Sequence, residues 1–183
     1  TITRINYIFW QDIFIYIFIK SLMKSPKLFK DNRGENFEGF DTKNFSNIIK
    51  PDFTLRKAFK HKRFVLDTFS KSKQNVFRGL HGDNKTWKLI TCLYGEIFFI
   101  VLHPKTKTIV KFKLDSKNRD QVLVPNDCVN GHYCISDECL FSYKMTEHYG
   151  GIKSQYTIKW HDKNYNFNWP FDITNAIISD RDN

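Results

Sequence analysis

Residues 77–102 read FRGLHGDNKTWKLITCLYGEIFFIVL. From Leu89 to Leu102 the stretch is dense in Ile, Val, Phe, Tyr and Leu, broken once at Gly95 and Glu96. β-Branched and aromatic residues in such runs predict strands, and a Gly-polar break predicts a turn. The stretch therefore reads as two strands of a buried antiparallel sheet joined at Gly95. His81 and Lys88 would then stand at the mouth of a β-barrel. Such a mouth is concave and apolar-walled, so a few convergent polar groups there make a small-ligand site.

The flanking segments extend the same pattern. Upstream, RFVLDTFSKSKQNVFRGLH (63–81) alternates apolar and polar residues from Phe64, as a half-buried strand should, and delivers Arg78 and His81. Downstream, residues 103–123 read as a hairpin whose Lys105, Lys107, Lys111 and Lys113 form a solvated outer face. VPNDCVNGHYCISDECLFSYKMTEHY (124–149) reads as two strands around a Ser136-Asp137 turn, ending in Tyr143-Lys144. The polar segment 41–60, with scattered Phe and Ile, reads as a short helix and loop. No internal repeat interrupts this series, which is all-β with a few short helices.

Composition narrows the function. At 183 residues the chain can bury one good core and is short for two. A net charge of +10 invites a nucleic-acid reading. The lysines, however, are scattered along the chain instead of gathered on one periodic face, which argues against nucleic acid and suits a diphosphate-bearing small ligand equally well. Cys92, Cys128, Cys134 and Cys139 form no CxxC pair and sit in apolar runs, so they read as buried free thiols of a reducing cytoplasm. The apolar run Tyr7–Ile19 is interrupted by Gln11 and Asp12 and is shorter than the ~20 apolar residues of a membrane span. No membrane association is expected. Residues 1–22 read as an N-terminal extension, with Met23 as an alternative natural start, or as a strand exchanged with a partner subunit; residues 23–183 read as a single domain.

Several separate motifs between Pro26 and Asp182 resemble the dTDP-4-dehydrorhamnose 3,5-epimerase family: DNRGENFEGF near the start, RGLH, TWKL, FSYK, and a closing segment with Trp160, Asp162, Trp169 and Pro170. The resemblance implies a cupin-like jelly-roll barrel, a homodimer, and inversion of C3 and/or C5 beside the ketone of a nucleotide-linked 4-keto-6-deoxy sugar. No cofactor is implied. A metal-dependent cupin would need a His-x-His pair, and the text here is His81-Gly82-Asp83, so no metal is expected. Cytoplasmic precursor synthesis for a surface polysaccharide is the implied setting.

Inverting a carbon next to a ketone requires a base, a group that stabilises the enolate, and an acid on the opposite face. The resemblance assigns these to His81, Lys88 and Tyr143, with Asp162 steadying the imidazole. Imidazole changes charge near neutral pH and suits the base; a phenol stays protonated there and suits the acid. Each has a plain alternative: a structural histidine, a packed tyrosine, a turn aspartate before Lys163-Asn164. The loop from His81 to Lys88 is also shorter than in most relatives. Substrate contacts implied by the resemblance are Arg78, Arg33, Glu38, Asn130, His132 and Tyr149, with Arg33 and Glu38 reaching across a dimer interface. Their plain alternative is a surface turn with a solvated ion pair.

The match departs from the family at positions facing the nucleotide. Leu66 and Thr68 stand where Gln and Asn are usual, Asn36 replaces an aromatic, and Asn130 replaces a histidine, although His132 would face the same side of the strand. The HGDNKTWKL text and the Asn-Gly-His-Tyr segment look closer to a branch that includes epimerases of GDP-linked 4-keto-6-deoxy-heptoses. A 3,4-ketoisomerase and a non-catalytic nucleotide-sugar-binding cupin are the alternatives within the same fold.

Overall fold

Two five-stranded antiparallel sheets face each other, and the chain passes from one to the other at nearly every turn. The structure, a computed structural model, describes residues 23–42, 45, 57, 59 and 61–183. The first sheet has the order β1 (Met23–Lys24), β9 (Gln121–Val124), β6 (Lys88–Tyr94), β11 (Glu138–Met145), β4 (Leu66–Lys73). The second has the order β12 (Tyr156–Thr157), β5 (Phe77–Gly82), β10 (Val129–Cys134), β7 (Glu96–His103), β8 (Thr108–Asp115). A hairpin of β2 (Leu28–Asp31) and β3 (Gly34–Phe37) lies apart from both. This is the expected jelly-roll class; the helical content is the backbone at Thr42, Phe45, Lys57 and Phe59 and two 3-10 turns, Ile152–Ser154 and Ile173–Asn175.

The predicted strands β6 and β7 are present, but they are not partners. β6 pairs with β9 and β11, whereas β7 pairs with β8 and β10, so Gly95 is a corner between sheets and not a hairpin turn. Gly95 takes a φ of 75°, and a Cβ there would fall 2.1 Å from the Glu138 carbonyl oxygen. Only glycine fits such a close approach in the left-handed region. Ser136 braces the corner: its Oγ accepts from the Glu96 N–H at 2.8 Å and donates to the Glu138 carbonyl at 2.7 Å. The Ser136-Asp137 turn likewise joins β10 and β11 across the sandwich. The expected hairpin over 103–123 is also divided: β8 pairs back onto β7, and β9 belongs to the other sheet. Lys111 and Lys113 do point outward from β8, while Lys105 and Lys107 lie in the preceding turn.

Three apolar clusters explain why β6 and β7 are apolar on both faces. Between the sheets pack Ile90, Ile97, Phe99, Val101, Phe112, Leu114, Val122 and Phe141, together with all four cysteines, which are buried and free. Outside the second sheet, the C-terminal segment from Ile158 lays Trp160, Phe167, Trp169, Phe171 and Ile173 over Phe77, Phe98, Ile100 and Leu102. Outside the first sheet, Phe40, Phe45, Phe59 and Phe64 cover Trp87, Leu89 and Leu123. A sheet covered on both sides has no polar face to alternate with, hence the continuous run. β4, at an edge, keeps strict alternation, with Leu66, Thr68, Ser70 and Ser72 inward and Asp67, Phe69, Lys71 and Lys73 exposed. The expectations for residues 1–22 lie outside the described residues. No helix among the described residues is long and apolar enough to cross a membrane.

Candidate active site

Between the sheets, at the end where β4 and β5 meet the C-terminal segment, lies a cavity of about 420 Å³. The second sheet contributes Arg78 and His81 from β5 and Asn130 and His132 from β10. The first contributes Leu66, Thr68 and Ser70 from β4, Lys88 from β6, and Phe141, Tyr143 and Met145 from β11. Two glycines let the second wall close up beneath the site: a Cβ on Gly79, at φ 131°, would stand 2.5 Å from Gly131 Cα. The β5–β10 register shifts at this point, so that His81 opposes Asn130 and Arg78 opposes His132.

The carboxylate that meets His81 is Asp182. Its Oδ1 lies 2.6 Å from His81 Nε2, and its Oδ2 accepts from the Gly79 N–H at 3.3 Å. The Asp182 side chain is only 5% exposed. Burial alone would raise its carboxyl, but the hydrogen bond and charge of His81, with Gly79 and Ser179, hold it below the usual carboxylate value. A carboxylate can only accept, so His81 Nε2 is the donor, and in the neutral ring the lone pair falls on Nδ1. The expected partner, Asp162, is a correction. Its Oδ1 accepts from both the backbone N–H and the side-chain amide of Asn164, each at 2.9 Å, which is the local turn chemistry of an Asp-x-Asn segment.

Lys88 lies across from His81 on the other sheet, almost completely buried. Its ammonium donates to the His81 carbonyl at 3.1 Å and to Asn130 Oδ1 at 2.8 Å, both neutral acceptors. Burial pulls its pKa down to about 8, against the opposing influence of Asp83 and Cys128. With two of its N–H bonds fixed beside the cavity, the ammonium is a positioned cation for an anionic oxygen. Tyr143, from the same wall, packs on Phe141 at 5.4 Å between ring centroids. Burial raises its phenol, partly offset by Arg78, so it stays protonated near neutrality.

The remaining polar residues divide between the floor and the rim. His132 is 3% exposed and stacks on Phe141 at 4.2 Å. Burial, then the nearby Arg78 charge, push its imidazole down to about 3, so it is neutral. Arg78 is exposed, and its Nε donates to Ser72 Oγ at 3.0 Å. Tyr149 stands at the rim, 53% exposed. Arg181, which the sequence reading missed along with Asp182, also lines the cavity and donates to Gln155 Oε1 at 2.9 Å and Thr157 Oγ1 at 3.3 Å. The signal for both was the charged Ser-Asp-Arg-Asp text at 179–182, directly after the apolar Ala176-Ile177-Ile178.

Arg33 and Glu38 do not line this cavity. Arg33 is held by Asp31 in the β2–β3 turn at 2.6 Å, and Glu38 borders a smaller cavity of about 220 Å³ with Lys24, Phe40 and Gln121. Among the described residues, no cluster of three or more His, Cys, Asp or Glu side chains is arranged to hold a metal ion.

Comparison with known proteins identifies the family. A family model described as dTDP-4-dehydrorhamnose 3,5-epimerase matches residues 19–183. The chain is 34% identical over 158 residues to the dTDP-4-dehydrorhamnose 3,5-epimerase of Salmonella typhimurium, covering 82% of this chain and 81% of that one. Among solved structures, a dTDP-6-deoxy-D-glucose-3,5-epimerase from Legionella pneumophila, in complex with dTDP-4-keto-L-rhamnose, superposes with a TM-score of 0.76 at 28% identity, over 87% of this chain and 83% of that one. A dTDP-4-dehydrorhamnose 3,5-epimerase from Bacillus anthracis with TDP and PPi bound superposes at 0.72 and 26% identity, over 87% and 89%.

Proposed function

From the premise that this chain belongs to the dTDP-4-dehydrorhamnose 3,5-epimerase family, we propose that His81 and Tyr143 carry its isomerase chemistry from opposite faces of one sugar ring. The chain is an epimerase of nucleotide-linked 4-keto-6-deoxy sugars. The observation that carries the residue assignment is a single cavity in which His81, paired with Asp182, and Tyr143 project from facing sheets.

The chemistry follows from those groups. Nδ1 of His81 takes the proton from the carbon beside the ketone, and Asp182 stabilises the imidazolium that forms. The electron pair left on carbon delocalises onto the C4 oxygen, where the Lys88 ammonium meets the developing charge. Tyr143 then returns a proton to the opposite face of the same carbon, which inverts it. The ketone is restored and no cofactor is consumed. Arg78 and Arg181 flank the opening as cations suited to the diphosphate, and Tyr149 offers a ring for the nucleotide base. The relatives' complexes make a dTDP sugar the first substrate to test. The assembly we propose is a homodimer in which Arg33 and Glu38 reach a partner's cavity, with residues 1–22 as an extension or an exchanged strand. Its proposed setting is the cytoplasm.

Proton NMR in D2O tests the assignment with a dTDP-linked 4-keto-6-deoxy sugar. Wild type should exchange α-hydrogens and invert the carbon, and His81→Asn should do neither. Tyr143→Phe should still exchange, because the base is intact, but without inversion. Undiminished exchange in His81→Asn would remove it as the base, and movement of the carbonyl would mark a ketoisomerase instead.

A further inference from the structure

The Lys88 ammonium reaches from one sheet to the other for its partners. Lys88 stands on β6, and its two acceptors, Asn130 Oδ1 at 2.8 Å and the His81 carbonyl at 3.1 Å, belong to β10 and β5 of the facing sheet. The register sets Asn130 directly opposite His81, so the two acceptors are cross-strand neighbours. A lysine can only donate, which fixes the amide: Oδ1 faces the ammonium and Nδ2 turns from it. Among the described residues no carboxylate pairs with Lys88. The acids beside it or across the cavity are engaged elsewhere or uncharged. Asp83 accepts from the Lys85 and Thr86 N–H groups, Asp182 is held by His81 and Gly79, and burial keeps the Cys128 thiol and the Tyr143 phenol protonated. The two arginines that line the cavity are tied to neutral partners, Arg78 to Ser72 and Arg181 to Gln155.

The side chain at 130 therefore decides the state of the ammonium. An apolar group there would leave a buried cation with one acceptor and favour the neutral amine. A carboxylate would hold the cation but cancel its charge, in the place where a developing oxyanion needs it. A neutral amide oxygen does neither. We infer that Asn130 is the positioning residue of Lys88, anchoring the ammonium across the sandwich through a neutral acceptor and leaving its positive charge uncompensated for the substrate oxygen. The inference rests on the epimerase reading above. It gives the departure from the family's histidine at 130 a chemical sense, because an imidazole would set a second titrating group beside the ammonium. With no carboxylate paired to it, Lys88 stays at the value of about 8 to which burial pulls it.

The test uses the full chain labelled with 13Cε-lysine. Its Lys88 resonance, identified by its loss in Lys88→Arg, is titrated without substrate in wild type, Asn130→Leu and Asn130→Asp, two substitutions of nearly unchanged size. The midpoint should lie near 8 in wild type. It should fall by about one pH unit or more in Asn130→Leu and rise by about one or more in Asn130→Asp. In turnover the alkaline limb of kcat should move the same way in each variant. Asn130→Asp should also lower kcat on the plateau about 10- to 100-fold with KM changed less than about threefold, since the charge lost is one used in the transition state. Asn130→Asp carries the test alone if Asn130→Leu does not fold. An unmoved midpoint in Asn130→Asp, or a limb that fails to follow it, would overturn the inference. Absence of deuterium exchange in wild type would instead overturn the epimerase reading, while the substrate-free titration still decides the role of Asn130.

Discussion

The two ends of the cavity differ in how completely their polar groups are tied down. At the His81 end, the imidazole is held by Asp182, the Lys88 ammonium by Asn130 and a carbonyl, and Asp182 in turn by the Gly79 N–H. At the His132 end, the imidazole is buried and stacked on Phe141, and its Nε2 has no hydrogen-bond partner among the described residues. Groups that must act on a proton are aligned before substrate arrives, which avoids reorganisation during the reaction. A ring stacked in the floor is held by packing and needs no such alignment. Variants at the first end should therefore slow chemistry, whereas those at the second should act first on packing and stability.

The sharpest break of that contrast is at His81. His81→Asn should lower kcat by about 10³- to 10⁴-fold in the D2O exchange assay with little change in KM, as for loss of a general base. Asp182→Asn comes next. An amide presents donors as well as an acceptor to Nε2, so the ring can settle in the wrong tautomer, and kcat should fall about 10²- to 10³-fold while the fold is kept.

The alkaline limb of the pH profile gives a third measure. Lys88 is protonated below its pKa of about 8 and loses its charge above it, so kcat should fall as pH rises through that value. In Lys88→Arg, whose guanidinium stays charged, that limb should disappear or move upward. Folding stability should respond in the other direction. Between about 8 and the ordinary lysine value of 10.5 the unfolded chain binds more protons, so this residue's contribution to stability grows with pH while activity falls. A melting series across that range, set beside the rates, checks both signs. The smallest effect belongs to Asp162→Ala, which removes two local turn hydrogen bonds. It should cost about 1 kcal/mol in denaturant titration and leave kcat within about twofold.

Strands were legible in the sequence because their periods are local. β4 shows its alternation and β6–β7 their double-sided burial within a few residues each. Which sheet a strand joins was not legible, because alternation reports only inward or outward, and both sheets share one inside. The corner at Gly95 thus looked like a hairpin turn. The same limit separates the site residues. Lys88, Tyr143 and His81 each lie on a strand that the sequence shows, and the cavity brings them together. Asp182 lies 101 positions from His81 and reaches it only because the C-terminal segment docks its aromatic residues on the second sheet. Asp162, flanked by a tryptophan and a histidine, carried the louder local signal and belongs to a turn. The unpaired nitrogen of His132 had no signal at all, since it depends on every neighbour failing to reach it.

Because β5 and β11 belong to facing sheets, the residues proposed to remove and return the proton, His81 and Tyr143, are separated by the thickness of the sandwich itself, ~10 Å between facing backbones. That gap works as a calliper closed on the sugar. Its setting is held by Phe99 and Phe112 deeper in the same layer, which do not line the cavity. Turnover in this enzyme is thus partly a matter of core volume, and a methylene gained or lost far below the sugar would be felt as a change of reach above it.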